Sequence, residues 1–299
     1  MTNANKWLND FSRNVTSTCG EDGILEKILE VISDTNRWCV EFGAADGYES
    51  SNTYNLIKNK NYSAVLIEAN RQLFNKLQKN YRDNKNILLF NAVVGFESVN
   101  RLDAILKSTM IPHNFDVLSI DIDGNDYHVW ETIKYYRPKV VMIEFNPTIS
   151  NSIEFVQPRN FKINQGSSLL SIWKLAKQKE YELCATTFAN AFFVDKKYFS
   201  LFNIKDSSVN ELRSDESAIT YIFCGYDGTI FLSGCKKLIW HFIPYNEFQI
   251  QQIPKILRSF PPAYGKLRLL LAGFYFAFFR KADISKDIIK KTISKLFSK

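Results

Sequence analysis

The sequence predicts an α/β fold: a doubly wound, mostly parallel sheet with an antiparallel edge hairpin, followed by a helical C-terminal appendage. Two observations carry the prediction. Short apolar segments alternate with helical stretches through the first half of the chain, the pattern of consecutive strand–helix units. Each segment is apolar almost without interruption, as strands are when helices cover both faces of a sheet.

The strands are expected at residues 38–42, 64–68, 87–90, 115–121 and 140–145, rich in Val, Ile, Leu and Phe. Helices are expected between them at 52–60, 71–81, 99–107 and 126–135. Residues 146–165 are polar, carry two prolines and read as an insertion loop. A helix over 167–178 and strands over 181–186 and 190–195 follow. The short connection 187–189 makes these strands a hairpin, so the last one runs antiparallel at or near the sheet edge. A second hairpin, 217–224 with 229–233, turns at Tyr226-Asp227-Gly228.

With 299 residues, 45% of them hydrophobic and 23% charged, the chain can bury a large core and is not a disordered tract. Residues 254–299 hold 11 of the 38 Lys/Arg and 2 of the 31 Asp/Glu; the remaining 27 basic and 29 acidic residues nearly balance. The basicity belongs to the appendage, so nucleic acid is disfavoured as a partner of the main domain. The domains are accordingly expected at 1–253 and 254–299. Five cysteines without metal-ligand spacing, and a start lacking signal-peptide features, suggest buried free thiols in a reducing cytoplasm.

In such sheets ligands bind at the carboxyl ends of the strands, near the switch in strand order. The first strand ends in Glu41-Phe42-Gly43-Ala44-Ala45-Asp46-Gly47. This is not the G-x-G-x-x-G of a dinucleotide loop, and Asp46 would repel a pyrophosphate. S-adenosylmethionine (SAM) removes the conflict, because it has no phosphate and its methionine half carries an ammonium and a sulfonium. Glu41, Gly43, Asp46 and Gly47 are expected around that half. Glu68, ending the second strand, suits two ribose hydroxyls. Asn52, Ala69 and Asn91 complete the expected cofactor set, with Asp121.

The fourth strand carries the densest chemistry, Asp121-Ile122-Asp123-Gly124-Asn125-Asp126-Tyr127-His128. Three carboxylates within six positions repel one another unless a cation lies nearby. An EF-hand fails, because Asp126 stands where it needs Gly and Thr132 where it needs Glu. Glu144 adds an acid at the end of the fifth strand.

Together with Cys19-Gly20-Glu21-Asp22-Gly23, Val40-Glu41-Phe42-Gly43-Ala44, Ser51-Asn52-Thr53-Tyr54, Leu66-Ile67-Glu68-Ala69, Val141-Met142-Ile143-Glu144-Phe145-Asn146-Pro147 and Gln165-Gly166-Ser167-Ser168-Leu169, this strand resembles the FkbM-type SAM-dependent methyltransferases. The resemblance spans about residues 19–194. It implies a class I methyltransferase (Rossmann-like) fold and O-methylation of sugars or other hydroxyl-bearing natural products, in bacteria often beside capsule or lipopolysaccharide genes.

Methyl transfer to an alcohol requires in-line positioning and removal of the hydroxyl proton. Asp121, Asp123 and His128 are the candidates for this catalysis. Asp126, Glu144, Asn146, Gln157, Arg159 and Gln165 are expected to contact a sugar or sugar-nucleotide substrate, Arg159 through a pyrophosphate. Asp121, Asp123, Asp126 and Glu144 are also candidate ligands for Mg2+. Two other readings stay open: methylation of a phosphoryl or carboxyl oxygen of a small metabolite, which needs no general base, and a noncatalytic SAM- or nucleoside-binding module.

In the appendage, residues 269–279 are uncharged and too short to span a bilayer, and a basic amphipathic helix follows. Residues 267–299 therefore suit either peripheral contact with the inner membrane face or packing against the body or a second subunit in a homodimer.

Overall fold

The computed structural model describes residues 5–279, and the chain divides into two units between Glu216 and Ser217. The division falls upstream of residue 253, so the second hairpin belongs with the C-terminal unit.

The first unit opens with a single-turn helix over Trp7–Phe11 and then α1 (Glu21–Ile32), neither expected from the sequence. Ile24, Leu25, Ile28 and Ile32 recur at helical spacing and are buried. The order continues β1 (Trp38–Phe42), α2 (Tyr54–Lys60), β2 (Ser63–Ile67), α3 (Arg71–Tyr81), β3 (Ile87–Phe90), α4 (Leu102–Leu106), β4 (Val117–Ile120), α5 (Asp126–Thr132) and β5 (Val140–Glu144). Next come α6 (Leu169–Gln178), β6 (Tyr181–Thr186), β7 (Asn190–Asp195), α7 (Lys196–Phe199) and α8 (Val209–Leu212).

The strands form one seven-stranded sheet in the order β3-β2-β1-β4-β5-β7-β6. β1 to β5 pair in parallel, and β7 runs antiparallel to both β5 and β6. This is the predicted fold class, a doubly wound sheet whose strand order reverses between β1 and β4. The register sets Phe42 opposite both Ile67 and Ile120, so β1, β2 and β4 end level. Their loops therefore open onto one edge of the sheet.

Local chemistry explains where helices begin and stop. Asn70 caps α3 by accepting from the N–H groups of Gln72 and Leu73, and Ser168 caps α6 through Ser171 N–H. α5 stops at Thr132, short of the expected residue 135, because the Asp103 carboxylate takes the N–H groups of Lys134, Tyr135 and Tyr136. Such side-chain acceptance competes with helix continuation.

In the second unit, β8 (Thr220–Cys224) and β9 (Ile230–Gly234) form the expected hairpin. β10 (Lys237–Leu238) and β11 (Ile243–Pro244) make a smaller pair, and α9 spans Lys266–Phe279. No helix among the described residues is long and apolar enough to cross a membrane. The basic amphipathic stretch after residue 279 lies outside the described residues. All five cysteines are free, but Cys19 and Cys224 are exposed; burial applies to Cys39, Cys184 and Cys235.

Candidate active site

Gly43 lies at the switch point between β1 and β4 with φ +77°, a left-handed conformation that disfavours a side chain. A Cβ there would stand 2.1 Å from the carbonyl oxygen of Asp121. The two loops are therefore in backbone contact across the crevice. Gly43→Ala should cost at least about 2 kcal/mol, from the strained φ and the forced parting of β1 and β4. Urea unfolding checks this, and an unchanged midpoint would contradict the packing described.

The amides of this loop are engaged inside the protein. Gly43 and Ala44 N–H both donate to Ile67 O, Ala45 N–H to Glu68 Oε2 and Gly47 N–H to Ala44 O. A phosphate cradle needs such groups free. Gly47, also at positive φ, packs against Leu77 and Tyr81, and the Tyr81 hydroxyl donates to Gly47 O. Asp46 closes the turn by accepting from Tyr48 and Glu49 N–H through one oxygen.

Glu68 is buried and bridges two loops, accepting Ala45 N–H at 2.8 Å and Asn70 N–H at 2.6 Å, one on each oxygen. Each oxygen keeps a further lone pair. Asn91 braces the same turn by donating to the carbonyls of Glu68 and Ala69. Glu41 is fully enclosed. It accepts from Ser51 Oγ, Asn52 N–H and Thr53 Oγ1 at 2.6–2.8 Å, and so fastens the start of α2 to β1. Burial raises its carboxyl above the ordinary range, and those three donors oppose the rise. Its role is to hold Asn52, whose side chain reaches Ser119 Oγ, rather than to offer a free oxygen.

At the ends of β4 and β5, oxygens of Asp121, Asp123 and Glu144 all lie within 4.8 Å of one another. Burial, then repulsion from the neighbouring acids, raises Asp121 to about 8 and Glu144 to about 10. Asp126 does not join this group. Its two oxygens accept Ile122 and Gly124 N–H, which folds the 121–126 loop around it. Burial is the largest cause of its rise to about 6. His128 stays apart as well. Its Nε2 is 2.8 Å from Gln157 O, and its Nδ1 lies 4.0 Å from Glu131.

The polar loop after β5 closes on itself. Gln157 is 1% exposed; its amide donates to Ile163 O and accepts Gln165 and Gly166 N–H. It shapes the loop and presents no free amide to a substrate. Asn146 likewise donates to Gln165 O and accepts from Thr148. Arg159 pairs with Glu131 and lies 5.1 Å from the Phe96 ring centre, and Phe161 stacks on that ring at 4.8 Å. Gln165 is held through its backbone, its N–H donating to Gln157 and its carbonyl accepting from Asn146.

Sequence reasoning did not place Glu21 or Asn190 at this edge. Asn190 stands opposite Glu144 in the β5–β7 register, and its amide donates to the buried Glu21, which also accepts from Thr187 Oγ1. Glu21 is among the charges that raise Asp121. The acidic pair Glu21-Asp22 after Gly20 was the available signal, but nothing local shows that α1 brings Glu21 against the β6–β7 connection.

No family model and no curated protein matches the chain, so the FkbM assignment remains a resemblance carried by its motifs. Among solved structures, the chain is similar to M. capricolum TrmK bound to S-adenosyl-homocysteine, with 14% identity over 56% of this chain and 67% of that one and a TM-score of 0.36. It is similar to a SAM-dependent methyltransferase from Aquifex aeolicus, with 8% identity over 64% and 98% and a TM-score of 0.37. The glycopeptide N-methyltransferase MtfA bound to SAM shows 8% identity over 56% and 85%, with a TM-score of 0.33. The fold assignment itself rests on the strand order and register.

Proposed function

We propose that the chain is a SAM-dependent O-methyltransferase acting on a sugar hydroxyl, with a nucleotide-linked or capsule or lipopolysaccharide precursor sugar as acceptor. The observation that carries this reading is the loop after β1. Its amides are engaged internally while buried Glu68 keeps lone pairs beside it. That arrangement suits a nucleoside without phosphate. The carboxylates of Asp121, Asp123 and Glu144 suit its cationic methionine half.

In the reaction, the acceptor oxygen forms a bond to the methyl carbon as the S–CH3 bond breaks. The hydroxyl proton passes to a carboxylate, leaving a methyl ether and S-adenosyl-homocysteine. Asp121 is assigned as base, since a group raised to about 8 is a stronger base than an ordinary carboxylate. Asp123, the exposed member, is assigned to the acceptor. His128 drops out of this assignment, because one ring nitrogen is held by Gln157 and the other faces Glu131.

Glu68→Ala should weaken SAM binding by about 1–3 kcal/mol through loss of hydrogen bonds to a charged acceptor. Calorimetry on folded protein checks it; unchanged affinity removes Glu68 from the site. Incubation with SAM and a panel of nucleotide sugars, read by mass spectrometry, tests the acceptor class. Binding of SAM without turnover on any hydroxyl acceptor would favour a noncatalytic module. A phosphoryl or carboxyl acceptor is already anionic and needs no base, so a pH–rate profile without a basic limb would favour that reading.

The same three acids supply the hard anionic oxygens that Mg2+ takes, and they would be its ligands. A bound Mg2+ would lower the pKa of the acceptor hydroxyl. Turnover that survives a chelator dismisses it.

A further inference from the structure

At the opposite end of the sheet from the acidic group, a cavity of about 290 Å³ opens beside the amino ends of β4, β5 and β6. Its wall includes Lys134, Arg137 and Lys179 together with His113, Tyr135 and Tyr181. Three permanent or near-permanent cations around one cavity repel one another unless something negative balances them.

Among the described residues, only one of the three has a carboxylate partner within 4 Å. Arg137 pairs with buried Asp195 through Nε at 2.7 Å, and one N–H on each of its two terminal nitrogens donates to the carbonyls of Lys179 and Glu180. Lys179 donates to Ile133 O at 2.7 Å, and no carboxylate lies within 4 Å of it among the described residues. Lys134 is exposed; its backbone N–H donates to Asp103, and its ammonium makes no ion pair among the described residues.

The acids that act on Lys179 also hold other donors. Asp103 takes three backbone N–H groups, and Glu131 pairs with Arg159. Burial holds Lys179 below the ordinary lysine range, while Asp103 and Glu131, each acting on it more strongly than Lys134 or Arg137, oppose this.

We propose that this cavity is a second binding site, separate from the methyl-transfer site, for a ligand carrying a phosphate or diphosphate group. A multiply charged anion supplies acceptors for the free donors of Lys134 and Lys179 and reaches the Arg137 edge, and charge-assisted bonds of this kind are strong. A carboxylate offers a single charge to two lysines whose ammonium groups make no ion pair among the described residues. The volume is near the lower end of small-molecule sites, enough for a diphosphate and part of an attached group. At the rim, Tyr135 and His113 meet edge to face at 5.1 Å, and Tyr135 is 64% exposed, offering a ring or sugar face a surface to rest on.

The test is calorimetric titration of the full chain with inorganic pyrophosphate, ADP and glucose 1-phosphate. At least pyrophosphate should bind saturably with one site per chain. Lys134→Ala and Lys179→Met should each weaken it about tenfold or more, while Lys134→Arg retains it. Tighter binding of ADP identifies a nucleotide as the source of the phosphate, and tighter binding of glucose 1-phosphate a sugar phosphate. Lys134→Ala removes only an exposed side chain, so its result stands even where Lys179→Met disturbs folding. No saturable binding of any probe up to about 10 mM, where affinity is negligible, overturns the proposal. So does binding that both lysine variants leave unchanged, which would place the ligand elsewhere. SAM affinity is unaffected in either case, so the outcome is independent of the methyltransferase reading.

Discussion

Asp121→Asn should lower turnover by about 10²–10⁴-fold, the usual contribution of a positioned general base, while SAM binding, which also draws on Glu68, Asp123 and Glu144, weakens by a smaller factor. The same substitution should stabilise the free, chelator-treated protein at pH 8. The carboxyl is raised from 3.8 to about 8 in the folded chain, so the unfolded chain gives up this proton first as pH rises. Stability from this group is therefore undiminished below pH 4, declines through the interval to pH 8, and stays low above it. Asparagine carries no proton to lose. Urea unfolding at pH 5 and pH 8.5 should show a smaller stability difference in the variant than in the wild type. Equal differences would mean that Asp121 is not held protonated by its surroundings. Full turnover would remove it as base.

Lys139→Met should destabilise the fold by about 3–5 kcal/mol, the cost of leaving a buried charge without its partner. Lys139 is 2% exposed and pairs at 2.9 Å with Asp116, which is completely buried. Asp116 also accepts the N–H groups of Asn36 and Arg37, so it anchors the entry to β1 as well as the start of β4. The Asp116→Asn/Lys139→Met double variant should recover part of the loss, because a neutral amide oxygen still accepts from one of those N–H groups. Chemical unfolding measures both. A loss below about 1 kcal/mol for the single variant would show that Asp116 finds other solvation.

Short, nearly continuous apolar segments were sufficient to locate the five parallel strands, since buried parallel strands must be apolar on both faces, and the short 187–189 connection marked β6 and β7 as a hairpin. Residues 38–42 and 87–90 have the bounds of β1 and β3, and 71–81 those of α3. Errors fell where polar side chains overrule propensity. Asp103 cuts α5 short, and α4 shrinks to Leu102–Leu106 after the Gly95–Arg101 bridge. α1 went unread although its apolar spacing was present.

Of the site, the sequence by itself determined the inventory: glycines at the end of β1, Glu68 at the end of β2 and the acids after β4 and β5. Strand ends in a parallel sheet must meet at one edge, so these positions converge whatever the loops do. Only the tertiary structure decided which of them are free. Glu41, Asp126 and Gln157 look alike in sequence to Asp121 and Gln165, but backbone N–H groups engage the first three: Asn52 on Glu41, Ile122 and Gly124 on Asp126, and Gln165 and Gly166 on Gln157. Buried amides must find acceptors, and the nearest carboxylate or amide oxygen is drawn into service. That competition depends on the folded path of the chain, and no local pattern in the sequence records it.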